Sequence, residues 1–120
     1  CVRLATYCGY PDAERDNRIM EMNFGDWEMK NFDEISDPRL KEWYADYINV
    51  PATNGESFAI QYQRVASFLD ELKEKNYEKV AIFAHGGVLI CAQLYAGAIK
   101  QEEAFSALTP YGGIIQLRLD

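Results

Sequence analysis

The only histidine of this 120-residue chain stands at the end of an apolar run. In VAIFAHGGVLI, residues 80–90, five apolar residues lead to His85, two glycines follow, and apolar residues then resume. The pattern predicts a strand buried on both faces, followed by a helix that Gly87 leads into. Glycine lets the backbone approach a ligand closely, and the N–H groups of a helix N-terminus attract anions. His85 and Gly86 are therefore candidates for a site that holds an anion or a developing oxyanion, and an ordinary strand-to-helix turn is the alternative.

A second candidate group is the carboxylate of Glu21 in the stretch IMEMNFGDWE. Two methionines flank it, and Phe24 and Trp27 follow closely. A carboxyl group in apolar surroundings is able to act as a general acid near neutral pH. The competing interpretation is a solvated acid on a loop.

The stretch NGESF, residues 54–58, is the third feature. Gly55 turns the chain, and Glu56 and Ser57 open the longest apolar stripe of helical period in the sequence. Ser57 suits the N-cap of that helix. Capping alone explains the motif, so the motif by itself indicates little about function.

Helical and extended patterns alternate along the chain, which is typical of an α/β layered domain. Helices are predicted over residues 2–8, 32–35, 38–48, 57–76, 88–99 and 102–108. Strands are predicted over residues 13–19, 80–84 and 112–120. These strands are too few to form a sheet against which so many helices could pack. We therefore expect the sheet to be incomplete.

Composition and charge limit the function classes. Lys and Arg number 12 and Asp and Glu 19, a net charge of −7, which disfavours binding to nucleic acid and to anionic membranes. No apolar segment reaches membrane-spanning length. Three cysteines without pair spacing and a single histidine argue against a disulfide framework and a zinc site. The cysteine pattern favours a reducing compartment, the cytoplasm.

Taken in order, the stretches RIMEMNFGDWE, NGES and AIFAHGG resemble the motifs of the histidine phosphatase superfamily. The resemblance covers nearly the whole chain, and the FGDWE form is similar to the α-ribazole phosphatase branch. It implies a three-layer α/β/α sandwich with a mainly parallel sheet. It also implies hydrolysis of a small phosphorylated substrate through a phosphohistidine, with no cofactor and no metal.

The resemblance assigns roles to individual residues. Glu21 matches the proton donor to the leaving oxygen, and His85 matches the second histidine, which stabilises charge on the transferring group. Gly86, Ser57 and Asn23 are the expected phosphate- or substrate-binding residues. The substrate alternatives within the superfamily are a phosphoglycerate mutase reaction and a broad-specificity sugar phosphatase reaction.

The chain departs from the family pattern at the nucleophile. No Arg-His-Gly occurs, and the sequence begins at Cys1 within a predicted helix. We therefore expect residues 1–120 to be the C-terminal part of one domain whose first strand and nucleophilic histidine lie outside the sequence. Such a chain is expected to be inactive alone and to need the missing segment, a second chain or swapped pairing to be stable. A homodimer is a further expectation.

Two other functions compete with this interpretation. His-Gly-Gly also forms the oxyanion hole of α/β-hydrolase esterases, but those enzymes need a Gly-x-Ser-x-Gly elbow, and Ser57 lies in Gly-Glu-Ser-Phe-Ala. The other is a binding protein that has lost its nucleophile, with Trp43, Tyr44 and Tyr47 as an aromatic contact surface. Those rings are alternatively the core-facing side of an amphipathic helix, or stack on a flat base of the substrate.

Overall fold

The computed structural model describes residues 1–119, and of residue 105 the backbone only. The α-helices are α1 Val2–Tyr7, α2 Arg39–Ala45, α3 Phe58–Glu74 and α4 Gly86–Tyr95. Short 3-10 turns cover Asn17–Ile19, Gly25–Trp27, Phe32–Glu34, Gln101–Glu103 and Phe105–Ala107. The chain forms two compact units, one of residues 1–21 and 64–120 and the other of residues 22–63. None of the described helices has the length and hydropathy needed to cross a membrane.

The predicted α/β/α sandwich with a mainly parallel sheet is wrong for this structure, because residues 1–119 contain helices and turns and no strand. The apolar segment 80–84 has no secondary structure, and Val80 and Ile82 are 50% and 37% exposed rather than buried on both faces. A strand exists only as part of a hydrogen-bonded ladder, and among the described residues nothing pairs with the backbone of residues 79–84. The apolar run has the composition of a buried strand, but it does not show whether a neighbouring strand is present to pair with it.

The other predicted strands are also absent. Residues 113–119 have no regular structure, and residue 120 of that predicted strand lies outside the described residues. The predicted polar strand at 13–19 is instead a loop that ends in the 3-10 turn Asn17–Ile19. Asp16 caps this turn, because its carboxylate accepts a hydrogen bond from the backbone N–H of Arg18 at 2.8 Å.

Helix α3 follows the predicted stripe closely. Its buried side chains are Phe58, Gln61, Val65 and Leu69, at spacings of three and four residues. The helix ends where Asn76 adopts a positive φ of 54°, a conformation that asparagine tolerates better than most residues. The length and periodicity of the apolar stripe were sufficient to predict this helix, because the hydrogen bonds of a helix join residues close in sequence.

The unit of residues 22–63 is built around two tryptophans. Trp27 and Trp43 are almost fully buried, with ring centroids 6.0 Å apart and planes at 88°. Five further side chains pack around them: Phe24, Ile35, Leu40, Tyr47 and Val50. Trp43 thus serves the core, as the amphipathic-helix interpretation of this segment expects, whereas Tyr44 is exposed.

A single carboxylate ties together the segments around this core. Asp37 accepts hydrogen bonds from the indole N–H of Trp27 at 3.2 Å, from the backbone N–H of Arg39 at 2.9 Å, and from the hydroxyl of Thr53. These hydrogen bonds, that of Thr53 above all, hold the pKa of Asp37 below its usual value.

We predict that Asp37→Asn lowers the free energy of unfolding of this unit at pH 7. Because the folded-state pKa of Asp37 is lowered, its contribution is present above the unfolded-state pKa, about 3.9. It is lost as the pH falls through the folded-state pKa, so the difference between variant and wild type should shrink below about pH 4. Urea unfolding followed by tryptophan fluorescence measures this unit, since both tryptophans of the sequence lie in it.

Asp33→Asn is the matched control, because Asp33 is an exposed acid of the 3-10 turn Phe32–Glu34 in the same unit. A deficit of Asp37→Asn that stayed constant from pH 7 to pH 2 would contradict the role given to the carboxylate.

In the unit of residues 1–21 and 64–120, a groove of about 890 Å³ runs beside α3 and α4. Leu69 and Leu72 of α3 and Val88 of α4 line it, together with Val80 and Ile82 of the extended segment. We predict that residues 1–120 alone bind the dye ANS and unfold without one sharp transition, because apolar side chains and unpaired backbone groups face this groove.

Thermal circular dichroism and ANS fluorescence test the prediction, and sedimentation velocity determines whether the chain self-associates. A monomer that excludes ANS and unfolds cooperatively, with a free energy of unfolding of about 5–15 kcal/mol, would contradict it.

Candidate active site

The structure brings Glu21 to the start of helix α4. Glu21 Oε2 accepts a hydrogen bond from the backbone N–H of Gly87 at 3.1 Å, across 66 residues of sequence. Gly87 is the second residue of α4, and the first four N–H groups of a helix have no acceptor within the helix. The positive end of the helix dipole also attracts a carboxylate. The acid loop and the histidine motif therefore meet at one place.

His85 is the N-cap residue of α4, and its side chain is exposed. Its backbone is extended, and its carbonyl accepts the N–H of Leu89 at 3.0 Å, which begins the helix. The ring Nε2 lies 3.4 Å from Sγ of Cys1. The imidazole thus stands at a helix N-terminus and remains accessible to solvent.

Gly86 is the first residue of α4, next to His85. A Cβ atom built on it would lie 2.6 Å from Cδ1 of Leu108. Because Leu108 is largely exposed and this atom is the end of a flexible side chain, Leu108 could move aside. The lack of a side chain at Gly86 thus lets the side chain of Leu108 lie against the start of the helix.

The loop that carries Glu21 is held by Arg64 of α3, a residue that the sequence analysis missed. Nη1 of Arg64 donates to the carbonyl oxygens of Arg18 and Met20 at 2.8 and 2.6 Å, and Nη2 donates to the carbonyl oxygen of Glu21 at 3.2 Å. One signal was available: Arg64 directly precedes Val65 of the buried stripe, so it borders the face that packs against other segments.

A second arginine binds the same loop to α3. Arg18 donates to both carboxylate oxygens of Asp16, to the hydroxyl of Ser67 at 3.3 Å and to the carboxylate of Glu71. The hydrogen bonds of Arg18 lower the pKa of Asp16 and of Glu71, and its bond to Asp16 above all raises the pKa of Arg18. All three groups are therefore charged at neutral pH.

Asn23 and Glu56 are paired within the unit of residues 22–63. Glu56 Oε1 accepts the N–H of Asn23 at 2.9 Å, and the N–H of Glu56 donates to the carbonyl oxygen of Asn23 at 2.7 Å. Oδ1 of Asn23 accepts the N–H of Gly25 at 2.8 Å. The side chain of Asn23, a predicted substrate-binding residue, thus supports a turn.

Ser57, the other predicted binding residue of this unit, is buried at the start of α3. Its Oγ accepts the N–H of Ile60 at 3.3 Å, which is the capping interaction that the sequence predicts. A binding role for Ser57 stays a prediction beside this observed role as a cap.

Two glycines allow the loops of this unit to touch. Gly25 has a φ of +56°, and a Cβ atom there would lie 2.1 Å from the carbonyl oxygen of Thr53. A Cβ atom on Gly55 would lie 2.4 Å from the carbonyl oxygen of Asn23. Since these neighbours are backbone atoms, the loops must separate to admit a side chain.

Taken together, the residues at the start of α4 suit acid–base and electrostatic chemistry on an anion. The N-cap residue His85 carries an imidazole, and the backbone N–H of Gly87 binds the Glu21 carboxylate; such groups can bind negative charge and supply protons. No group of three or more metal-ligating side chains is found in the part of the chain that the structure describes.

Comparison with known families places the chain in one of them. The model of the histidine phosphatase superfamily (branch 1) matches residues 3–120. The chain belongs to the histidine phosphatase superfamily. The resemblance predicted from the three sequence motifs is thereby confirmed.

Individual relatives agree with this assignment. The adenosylcobalamin/alpha-ribazole phosphatase of Escherichia coli is 36% identical over 75 residues, which are 59% of this chain and 37% of the relative. A Hydrogenobacter thermophilus protein provisionally named phosphoserine phosphatase 2 is 28% identical over 108 residues, 88% of this chain and 53% of the relative.

A solved structure is also similar. The crystal structure of the alpha-ribazole phosphatase from Shigella flexneri superposes with a TM-score of 0.74 at 27% identity, over 92% of this chain and 56% of that one. The Hydrogenobacter protein and the Shigella structure match most of this chain. The chain spans about half the length of each of these two proteins.

We predict that Gly55→Ala destabilises the protein by about 1–3 kcal/mol, the usual cost of overpacking, and that Gly25→Ala costs more because its positive φ adds strain. Gly97→Ala is the control, since Gly97 has a φ of +74° and a Cβ atom there would meet no other atom within 4 Å. Urea unfolding measures all three variants. A Gly25→Ala variant no less stable than Gly97→Ala would disprove the close loop contact.

Proposed function

We propose that the protein is a phosphomonoester hydrolase that acts through a phosphohistidine, with α-ribazole 5′-phosphate as its substrate. The hydrogen bond between Glu21 and the backbone N–H of Gly87 supports the proposal most directly, because it brings two of the motifs, far apart in sequence, to the start of one helix. Membership of the histidine phosphatase superfamily supports the reaction class. The names of the E. coli relative and of the Shigella structure support the substrate.

In this reaction a nucleophilic histidine nitrogen attacks phosphorus as the bond to the leaving oxygen breaks. Glu21 gives its proton to that oxygen, which departs as an alcohol. His85 and the N–H groups at the start of α4 other than that of Gly87, which binds Glu21, stabilise charge on the equatorial oxygens of the phosphoryl group. Water then takes the phosphoryl group from the histidine and releases phosphate. No metal or cofactor takes part.

Because His85 is the only histidine of the sequence and has the charge-stabilising role in this proposal, the proposal assigns the nucleophile to a histidine outside residues 1–120. A nucleophile and a phosphate clamp held in position supply much of the rate in such reactions. We therefore propose that residues 1–120 alone have no phosphatase activity. A cytoplasmic location is part of the proposal and rests on the spacing of the three cysteines in the sequence, which does not predict a disulfide framework.

A panel of phosphomonoesters tests the substrate with the intact protein that contains this sequence. α-Ribazole phosphate should give the highest kcat/KM, above phosphoserine, 3-phosphoglycerate and glucose 6-phosphate. Preference for phosphoserine would agree with the Hydrogenobacter relative's name and overturn the substrate assignment. Isomerisation of phosphoglycerate without hydrolysis would assign the mutase reaction instead.

Substitutions at the two proposed catalytic residues test the mechanism. Glu21→Gln should lower kcat about 10²- to 10⁴-fold, the usual contribution of a general acid. His85→Ala should lower it about 10²- to 10³-fold, the usual loss of one charge-stabilising donor. Glu14→Gln is the control, because Glu14 is an exposed acid ahead of the same loop. An intact wild-type protein that binds a phosphorylated ligand without turnover would favour the binding-protein alternative.

Residues 1–120 alone provide the sharpest contrast. Turnover of a phosphomonoester by this chain, abolished by His85→Ala, would mean that the nucleophile lies within the sequence and would refute the proposed division of the site.

A further inference from the structure

The loop of residues 16–21 is attached to α3 along one face of the helix. Arg64, Ser67 and Glu71, at spacings of three and four residues, lie on that face. Ser67 and Glu71 accept hydrogen bonds from the side chain of Arg18, near the start of the loop. Arg64 binds the backbone at the end of the loop, where Glu21 lies.

The contacts of Arg64 suit an arginine in particular. Its guanidinium is a rigid planar fork with five N–H donors, and here two of its nitrogens reach the carbonyl oxygens of Arg18, Met20 and Glu21. An ammonium is a point charge with three donors on a flexible stem, so a lysine would hold fewer of these carbonyls in place. Because these three acceptors are backbone atoms, Arg64 fixes the path of the loop.

Glu21 is consequently fixed at both ends. Its carbonyl oxygen is bound by Arg64, and its carboxylate is bound by the N–H of Gly87. The charge-assisted bonds at the carbonyls act on the backbone from which the carboxylate projects. A displacement of about 1 Å at a reacting group costs up to about 10²-fold in rate, so this support matters to a proton donor.

We propose that Arg64 is a positioning residue that holds Glu21 in place at the start of α4. The expected effect of Arg64 on catalysis rests on the proposed function, in which Glu21 is the proton donor. The structural link from Arg64 through Glu21 to Gly87 is independent of that function. Arg64 itself is assigned no contact with the substrate.

Hydrogen exchange at the Gly87 amide measures the link directly. This N–H has no acceptor within α4, so its protection depends on Glu21. In the intact protein, Arg64→Ala and Glu21→Ala should each accelerate exchange of Gly87 about tenfold or more, in line with loss of a hydrogen bond to a charged group. The double variant should exchange no faster than Glu21→Ala, because Arg64 acts through Glu21.

Three controls separate positioning from general stability. The amide of Cys91, which is buried in the middle of α4, should keep its protection. Arg3→Ala, an exposed arginine of α1 in the same unit, should leave Gly87 unchanged. In Arg64→Lys, the exchange rate of the Gly87 amide should lie between those of the wild type and Arg64→Ala. If Arg64→Ala also loses protection at Cys91, the Arg64→Lys variant is the one that tests the positioning role.

Wild-type protection of Gly87 in a folded Arg64→Ala or Arg64→Lys variant would overturn the proposal, as would additive effects in the double variant. In an active protein, Arg64→Ala should lower kcat about 10- to 100-fold and change KM less than twofold. Absence of turnover by the wild-type protein would refute the proposed function alone, because the exchange at Gly87 would still report the link.

Discussion

The contact between the Glu21 carboxylate and the Gly87 N–H is the constraint on which the rest of the site depends. It joins a loop to a helix 66 residues later in the sequence. Without it the acid and the imidazole would belong to separate local motifs, each with an ordinary structural explanation. The contact serves the fold too, because it satisfies one of the N–H groups that every helix leaves unpaired at its start.

Helix α3 gives this contact its stability. The side that packs inward is a regular apolar stripe that includes Val65 and Leu69, and the residues bordering the stripe hold the acid loop. Since the loop has no regular hydrogen bonding beyond one 3-10 turn, its path is determined by side chains of the helix. A rigid element thereby positions a group on an irregular segment, which is the usual way in which loops carry chemistry.

The sequence predicted local features better than distant pairings. The extent of α3, the cap by Ser57 and the start of α4 beside His85 followed from periodicity and end signals that act within a few residues. The predicted strands failed because strand formation needs a partner elsewhere, and the apolar run 80–84 carries no information about one. The contacts of Arg64 were not predicted for a similar reason. It donates to backbone carbonyl oxygens, which every residue type has, so the sequence does not reveal which residues accept these hydrogen bonds.

Asn23 and Ser57 illustrate why a motif match does not by itself establish a binding role. Oδ1 of Asn23 accepts the Gly25 N–H, and the Ser57 hydroxyl accepts the Ile60 N–H, so both side chains have structural work that explains their identity. Glu21 also has a structural role, because its carboxylate accepts the Gly87 N–H, but it lies at a different type of position. Its partner is the N–H next to an exposed imidazole and a helix N-terminus, where anions are stabilised. In the proposed function, the carboxyl group held there lies beside the remaining N–H groups at the start of α4, and this location is what distinguishes Glu21 from the other two.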